Sequence, residues 1–150
     1  MSIVAIRTDE KLVHGKIIND WCEILKPTNL LIVDDNLSKD TFMSNVFISL
    51  SPSVLDTTVC SVNDVINYLK KNDSDDKRIF ILCKTPATAY EVYKKGIKYN
   101  LLTIADKKYI SKRIEITKEN INAINELIKL GVNIYYQKFP DVESVKIENL

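Results

Sequence analysis

Short apolar runs alternate with amphipathic helical stretches along the whole chain, and this alternation limits the fold more than any other feature. The short runs favour buried strands, while the longer stretches place apolar side chains three and four residues apart, as on one face of a helix. We therefore predict strands at residues 3–6, 30–33, 54–60, 79–83, 101–104 and 132–137, and a further strand within 109–116. Helices are predicted at residues 16–25, 42–50, 62–69, 86–95 and 118–130.

Hydroxyl side chains and glycines mark where the predicted helices begin and end. Four hydroxyl residues stand where an N-cap is expected: Ser38, Ser61, Thr85 and Thr117. Pro86 follows one of them directly, and proline is favoured at the first position of a helix. Gly96 and Gly131 are expected to end the last two helices, because glycine readily adopts the left-handed backbone conformation found there.

Strands that alternate with helices predict an α/β fold, with a single domain over residues 1–150. Parallel strands need crossover connections, so we expect an open, mostly parallel twisted sheet with helices on both faces. In such sheets a ligand binds beyond the carboxyl ends of the strands, near the point where the strand order reverses. The functional site is therefore expected in the turns after Ile6, Val33, Cys83 or Ile104.

The composition excludes several classes of function. A net charge of +1 gives no overall field directed at nucleic acid. Three glycines are too few for the glycine-rich loops of the common dinucleotide and nucleoside triphosphate sites. One histidine and three cysteines, with no Cys-x-x-Cys pair, do not favour a zinc site, and we predict neither a metal nor a cofactor. No basic segment followed by an apolar core begins the chain, so a cytoplasmic location is expected.

The turn after the first strand carries the densest group of chemically useful side chains. The candidate functional residues in this turn are Arg7, Asp9, Lys11, His14, Gly15 and Lys16. A neutral imidazole is a nucleophile, and Asp9 could hold one ring nitrogen of His14 and so present the other. Free amides at the start of the following helix, together with Arg7 and the two lysines, would hold an anion. Gly15 has no Cβ that would keep the backbone away from it.

Each of these residues also has a plainer explanation. A lone surface histidine is usually inert, and exposed lysines are usually only solvated. Arg7 could form a salt bridge with Asp9 or Glu10. Thr85, at the end of the fourth predicted strand, could donate to an anion, although helix capping alone would explain it.

This turn resembles the signature of the IIB components of the mannose/fructose/sorbose class of the bacterial phosphoenolpyruvate-dependent sugar phosphotransferase system (PTS). That signature is roughly Arg-x-Asp-x-Arg-Leu-x-His-Gly-Gln, with a tryptophan soon after. The matching residues of this chain are Arg7, Asp9, Leu12, His14, Gly15 and Trp21. Residues 31–35, 81–86 and 137–140 are also similar, so the resemblance extends over essentially the whole chain.

The resemblance implies a mostly parallel sheet of about seven strands with helices on both faces. It also implies that His14 is the catalytic residue of a cytoplasmic phosphotransferase associated peripherally with a membrane transporter. His14 would accept a phosphoryl group from the phosphohistidine of a IIA component and pass it to a sugar that enters through the membrane components IIC and IID. The predicted phosphate-binding and supporting residues are Arg7, Asp9, Lys11, Gly15, Lys16 and Thr85.

Three departures from the family pattern keep other functions open. Lys11 stands where arginine is usual, which replaces a bidentate donor with a point charge. Lys16 stands where glutamine is usual, which adds a positive charge beside His14, so the pocket stays basic. Residues 103–107 replace a turn that is often rich in glycine. The alternative function is a regulatory or anion-binding interaction module on the same fold, without a role in transport.

Overall fold

The computed structural model describes residues 1–111 and 115–150, which contain a seven-stranded sheet. Its strands are β1 (Ser2–Thr8), β2 (Asn29–Val33), β3 (Asp56–Cys60), β4 (Arg78–Cys83), β5 (Leu101–Ile104), β6 (Asn133–Tyr136) and β7 (Val145–Lys146). They lie in the order β3-β2-β4-β1-β5-β6-β7, and neighbouring strands are parallel except β6 and β7, which are antiparallel. The predicted α/β class and the mostly parallel, open sheet are confirmed.

Helices occupy the connections between the parallel strands. The first helix, α1, spans residues 15–25 and contains a π-helical turn at Ile17–Trp21 followed by an α-helical turn at Cys22–Leu25. The remaining helices are α2 (Asp35–Ser38), α3 (Thr41–Leu50), α4 (Val65–Lys71), α5 (Pro86–Lys94) and α6 (Lys118–Lys129), with 3-10 turns at Val62–Asp64 and Lys107–Tyr109. In the described ranges 1–111 and 115–150, no helix has both the length and the apolar character needed to cross a membrane.

Two apolar clusters cover the two faces of the sheet. Successive side chains of a strand point to opposite faces, and Ile32 and Phe80 accordingly pack in the cluster that includes α1. Leu31 and Ile81 pack on the other face, in the cluster that includes α4, α5 and α6. β1 lies between β4 and β5, so the turn after β1 opens near the middle of the carboxyl edge of the sheet.

The predicted boundaries of the last two helices are confirmed by their caps. The Thr85 hydroxyl accepts a hydrogen bond from the Thr88 amide at the start of α5, and Thr117 caps α6 in the same way. Gly96 and Gly131 follow these helices with φ values of 109° and 92°. Only glycine adopts such values without strain, which explains why both helices end where they do.

The N-cap predicted at Ser38 is wrong, whereas Ser61 does occupy the N-cap position of the 3-10 turn that leads into α4, although its hydroxyl caps no backbone amide there. Ser38 is the last residue of α2, and the side chains of Asp34 and Asp40 cap α2 and α3. The Ser61 hydroxyl bonds to the carboxylate of Asp64 at 3.2 Å, not to a backbone amide. A carboxylate is a stronger acceptor than a hydroxyl for the amides at a positive helix end, and this favours the nearby aspartates at the caps of α2 and α3.

The strand predicted within residues 109–116 is not found in the described part of that segment. Tyr109 ends a 3-10 turn, and residues 110–111 and 115–116 lie outside strands, while residues 112–114 lie outside the described residues. The seventh strand is β7, in which Val145 and Lys146 pair with Tyr136 and Tyr135. Both residues of β7 are exposed, so no apolar run marks this strand in the sequence.

A substitution in the central strand β4 tests how much the apolar core contributes to the free energy of unfolding. Phe80 is fully buried, and Phe80→Ala is expected to lower the free energy of unfolding by about 3–5 kcal/mol, because it removes apolar contacts and leaves a cavity. Phe42, on α3, is 75% exposed, so Phe42→Ala should change stability by less than about 0.5 kcal/mol. Urea denaturation of both variants would measure the difference, and equal losses would contradict this assignment of the core.

Candidate functional site

The backbone of Asp9 and its carboxylate shape the turn after β1. The Asp9 carbonyl accepts a hydrogen bond from the Leu12 amide (3.0 Å), and its Oδ1 accepts one from the Lys11 amide (2.9 Å). The Asp9 amide donates to the Cys83 carbonyl of β4 (2.9 Å), which attaches the turn to the sheet. Leu12 has a φ of 54°, a conformation that costs about 1 kcal/mol for a residue other than glycine. Burial of Leu12 and Val13 in the apolar cluster beneath offsets that cost.

Asp9 also orients the imidazole ring of His14. Nε2 of His14 lies 2.6 Å from Oδ2 of Asp9, and a carboxylate only accepts hydrogen bonds, so Nε2 carries the hydrogen. Nδ1 accepts a hydrogen bond from the Lys16 amide at 3.3 Å, as a nitrogen with a lone pair does. The His14 side chain is 24% exposed and that of Asp9 only 6%. The hydrogen bonds thus assign the hydrogen to Nε2 and the lone pair to Nδ1.

Arg7 lies beneath this turn as a buried cation. Its Cζ is 4.1 Å from the centroid of the Trp21 ring, Nη1 donates to Oγ1 of Thr103 (3.3 Å), and Nη2 donates to the Lys138 carbonyl (3.2 Å). Desolvation lowers the pKa of Arg7 to about 10, against the opposing effect of nearby carboxylates, and the side chain therefore remains charged at neutral pH. The plainer explanation for Arg7 was a salt bridge with Asp9 or Glu10. Among the described residues, Asp9 pairs with His14 and Glu10 with Lys108, and Arg7 forms a salt bridge with neither.

Side chains from the carboxyl ends of β1 and β6, the start of α1 and the loops after β1, β5 and β6 surround a pocket of about 330 Å³ next to His14. The pocket is lined by Arg7, Asp9, Lys11, His14, Lys16, Ala105, Asp106, Lys107, Tyr136 and Lys138. Cationic side chains outnumber carboxylates in this lining, which favours an anionic ligand. A larger cleft of about 690 Å³ opens beside β1 and β5, but its described lining contains neither a histidine nor a carboxylate.

Lys138 completes the pocket, and no local motif in the sequence marks it as a site residue. Its carbonyl accepts hydrogen bonds from Arg7 and from Nε1 of Trp21 (3.1 Å), so the loop after β6 is fixed against the first turn. Desolvation, followed by the neighbouring ammonium groups of Lys138 and Lys11, lowers the pKa of Lys16. Cations that repel one another in this way gain stability when an anion binds between them.

Asp106 connects the loop after β5 to the histidine turn. Its Oδ2 accepts a hydrogen bond from the Glu10 amide at 3.3 Å, and Lys108 forms an ion pair with the Glu10 carboxylate. Burial, followed by the nearby carboxylates of Glu10 and Asp9, raises the pKa of Asp106 to about 6. Asp106 was also missed in the sequence, where nothing marks its spatial proximity to a turn about a hundred residues earlier.

Five of the predicted site residues line one pocket, namely Arg7, Asp9, Lys11, His14 and Lys16. Gly15 opens α1 beside this pocket, and a Cβ there would lie 3.8 Å from Nδ2 of Asn19, an ordinary contact. The local backbone therefore does not itself require glycine at position 15. Thr85 caps α5 and is not part of the pocket lining. A role for either residue in phosphate binding stays a prediction.

Comparison with known proteins places this chain in a family. The family model of the PTS system sorbose subfamily IIB component matches residues 3–150. In sequence, the N-acetylgalactosamine-specific phosphotransferase enzyme IIB component 2 of Escherichia coli strain K12 is 24% identical over 155 residues, which cover 99% of this chain and 98% of that protein.

Two solved structures share the fold. The IIBSor domain of the sorbose permease from Klebsiella pneumoniae superimposes with a TM-score of 0.85 at 22% identity, over 98% of this chain and 94% of that one. The N-acetylgalactosamine-specific IIB component 1 from Escherichia coli gives a TM-score of 0.86 at 21% identity, over 98% of this chain and all 100% of the other. At these identities the structural likeness supports the fold alone.

The raised pKa of Asp106 predicts a pH-dependent effect on stability. Below its usual value of 3.8 the carboxyl is protonated in both folded and unfolded chains, whereas above about 6 it must ionise in an unfavourable site. Asp106→Asn should therefore raise the free energy of unfolding at pH 7.5 by about 1 kcal/mol, after allowance for its partial solvent access. The gain should vanish below about pH 4.

Urea denaturation at several pH values would measure this effect, with the exposed Asp75→Asn as control. A gain for Asp106→Asn that is the same at pH 4 and pH 7.5, or that the control variant shares, would contradict the assigned cause.

Proposed function

We propose a phosphocarrier role for His14 in this chain, which belongs to the sorbose subfamily of PTS IIB components. PTS IIB components are phosphotransferases that act in sugar uptake. One observation carries the assignment to His14: Asp9 holds Nε2 of the only histidine and leaves Nδ1 as the nucleophile beside a cationic pocket. The donor would be a IIA component that carries a phosphohistidine.

In the first step, the lone pair on Nδ1 of His14 attacks the phosphorus atom of the donor. The nitrogen–phosphorus bond of the donor breaks, and its electron pair returns to the donor imidazole. His14 then carries the phosphoryl group on Nδ1 while Nε2 keeps its hydrogen, so the ring becomes positively charged. The Asp9 carboxylate, which is 2.6 Å from Nε2, stabilises that charge and holds the ring in place.

The phosphoryl oxygens would be stabilised by groups already present around the pocket. The Lys16 amide, which donates to Nδ1 in the free protein, becomes available to a phosphoryl oxygen once Nδ1 is bonded to phosphorus. Lys11, Lys16 and Lys138 line the same pocket and contribute positive charge. Phosphoryl transfer depends chiefly on such positioning and charge stabilisation, and the transferring group needs little else from the protein.

In the second step, a hydroxyl oxygen of the sugar attacks the same phosphorus atom. The Nδ1–phosphorus bond breaks, its electron pair returns to His14, and the hydroxyl proton passes to a base at the acceptor site. The ring is then neutral again and ready for another donor. We place this step at the membrane components IIC and IID, with the chain in the cytoplasm and bound peripherally to them.

Phosphorylation by a relay tests the proposal. The chain is incubated with phosphoenolpyruvate, the general phosphocarriers and a matching IIA component, and the bound phosphate is measured. Wild type should acquire phosphate that is stable in alkali and lost in acid, because phosphohistidine is labile in acid. His14→Gln should acquire none while still unfolding cooperatively in urea, since His14 is the only histidine.

Two results would contradict the proposal: wild type that stays unlabelled while the IIA component is labelled, or His14→Gln that is labelled equally. Discharge of the labelled chain by membranes that contain IIC and IID then separates transport from regulation. A regulatory module would keep its phosphate in the presence of membranes and sugar, whereas a carrier would lose it to the sugar.

A further inference from the structure

A groove with an apolar floor and an acidic rim lies beside the cationic pocket. One wall is the outer side of α1, with Asp20, Glu23 and Ile24, and the other is the loop of residues 139–142. The groove has a volume of about 470 Å³. Ile24 and Val142 are 64% and 49% exposed, so large apolar side chains face solvent on both walls. Exposed apolar surface with a polar rim is typical of a protein-binding site.

Both walls of the groove are held in place by contacts inside the molecule. The opposite side of α1 is anchored by the buried side chains of Ile17 and Trp21. In the other wall, Nε2 of Gln137 donates to the carbonyls of Pro140 (3.3 Å) and Val142 (3.0 Å). A groove that already has its shape loses little conformational entropy when a partner binds.

The groove and the His14 pocket have opposite charges and share a border. Asp20, Glu23 and Asp141 contribute three carboxylates to the groove, its described lining contains no cationic side chain, and none of the three is in an ion pair with another described residue. Phe139 lines the groove, and the Lys16 ammonium lies 4.8 Å from the centroid of its ring. The sign of the surface charge therefore changes across a single aromatic ring.

We propose that this groove docks the protein that donates the phosphoryl group to His14, an inference that rests on the proposed function. The donor would present an apolar side chain flanked by lysine or arginine next to its phosphohistidine. The anionic phosphoryl group then meets the cationic pocket while the basic flank meets the acidic rim. The reverse orientation would place like charges next to each other. The adjacent acidic and cationic surfaces therefore favour the docking orientation that brings the phosphoryl group to His14.

Removing the negative charges of the groove tests whether they promote association with the phosphoryl donor. The groove variant combines Asp20→Asn, Glu23→Gln and Asp141→Asn, none of which lines the His14 pocket. Initial rates of His14 phosphorylation are measured against the concentration of phosphorylated IIA component. We expect KM to rise about tenfold while kcat stays within about twofold, because rim charges act on encounter and not on chemistry. The difference in KM should shrink at high salt.

A matched control makes the same change in net charge away from the groove. It combines Asp73→Asn, Asp75→Asn and Asp76→Asn, which are exposed in the loop after α4. The control should keep the wild-type KM. A KM that is unchanged in the groove variant, or that rises equally in the control, would overturn the proposal. A fall in kcat at unchanged KM would also overturn it, since the rim would then act on the reaction itself.

Further measurements distinguish failure of the docking proposal from failure of the proposed phosphocarrier function. If wild type takes up no phosphate, the proposed function fails, and the groove is then tested by titration calorimetry with unphosphorylated IIA component. A Kd about tenfold higher for the groove variant would still support docking, and equal Kd values would overturn it. If only discharge to membranes that contain IIC and IID slows, the groove serves the acceptor and the proposal is wrong.

Discussion

The hydrogen bond between Nε2 of His14 and Oδ2 of Asp9 is the interaction on which the chemistry of this site depends. It determines which nitrogen carries the hydrogen and which way the ring faces, and in the proposed mechanism it stabilises the positive charge of the phosphorylated ring. The bond in turn depends on the immobility of Asp9, whose backbone and carboxylate are held by Lys11, Leu12 and Cys83. The left-handed conformation of Leu12 is part of the same arrangement, and strain of this kind is often found at functional sites.

The cationic pocket is assembled from segments that are distant in the chain. Arg7 and Lys138, which are 131 positions apart, are joined by a hydrogen bond, and Trp21 donates to the same carbonyl. The parallel sheet makes this possible, because it brings the carboxyl ends of β1, β5 and β6 to one edge. A buried arginine that stacks on the indole of α1 and donates to β5 and to the loop after β6 therefore links the fold to the site.

Local patterns in the sequence were sufficient to predict the alternation of strands and helices and the placement of the histidine turn. The caps at Thr85 and Thr117 were predictable because hydroxyl, proline and apolar spacing agree there. The predictions failed where tertiary contacts decide the structure: β7 is a two-residue exposed strand that exists only through pairing with β6. Lys138 and Asp106 were likewise invisible as site residues, because only the folded sheet brings them to His14.

The most direct test is to identify which ring nitrogen of His14 bears the phosphoryl group after phosphorylation. The chain is labelled with ¹⁵N-histidine, phosphorylated through a IIA component and studied by long-range ¹H–¹⁵N NMR, in which His14 gives the only histidine ring signals. We expect phosphorus coupling at Nδ1, with Nε2 still bearing its hydrogen. A phosphoryl group on Nε2 would contradict it, since that nitrogen would have to leave Asp9 before it could react.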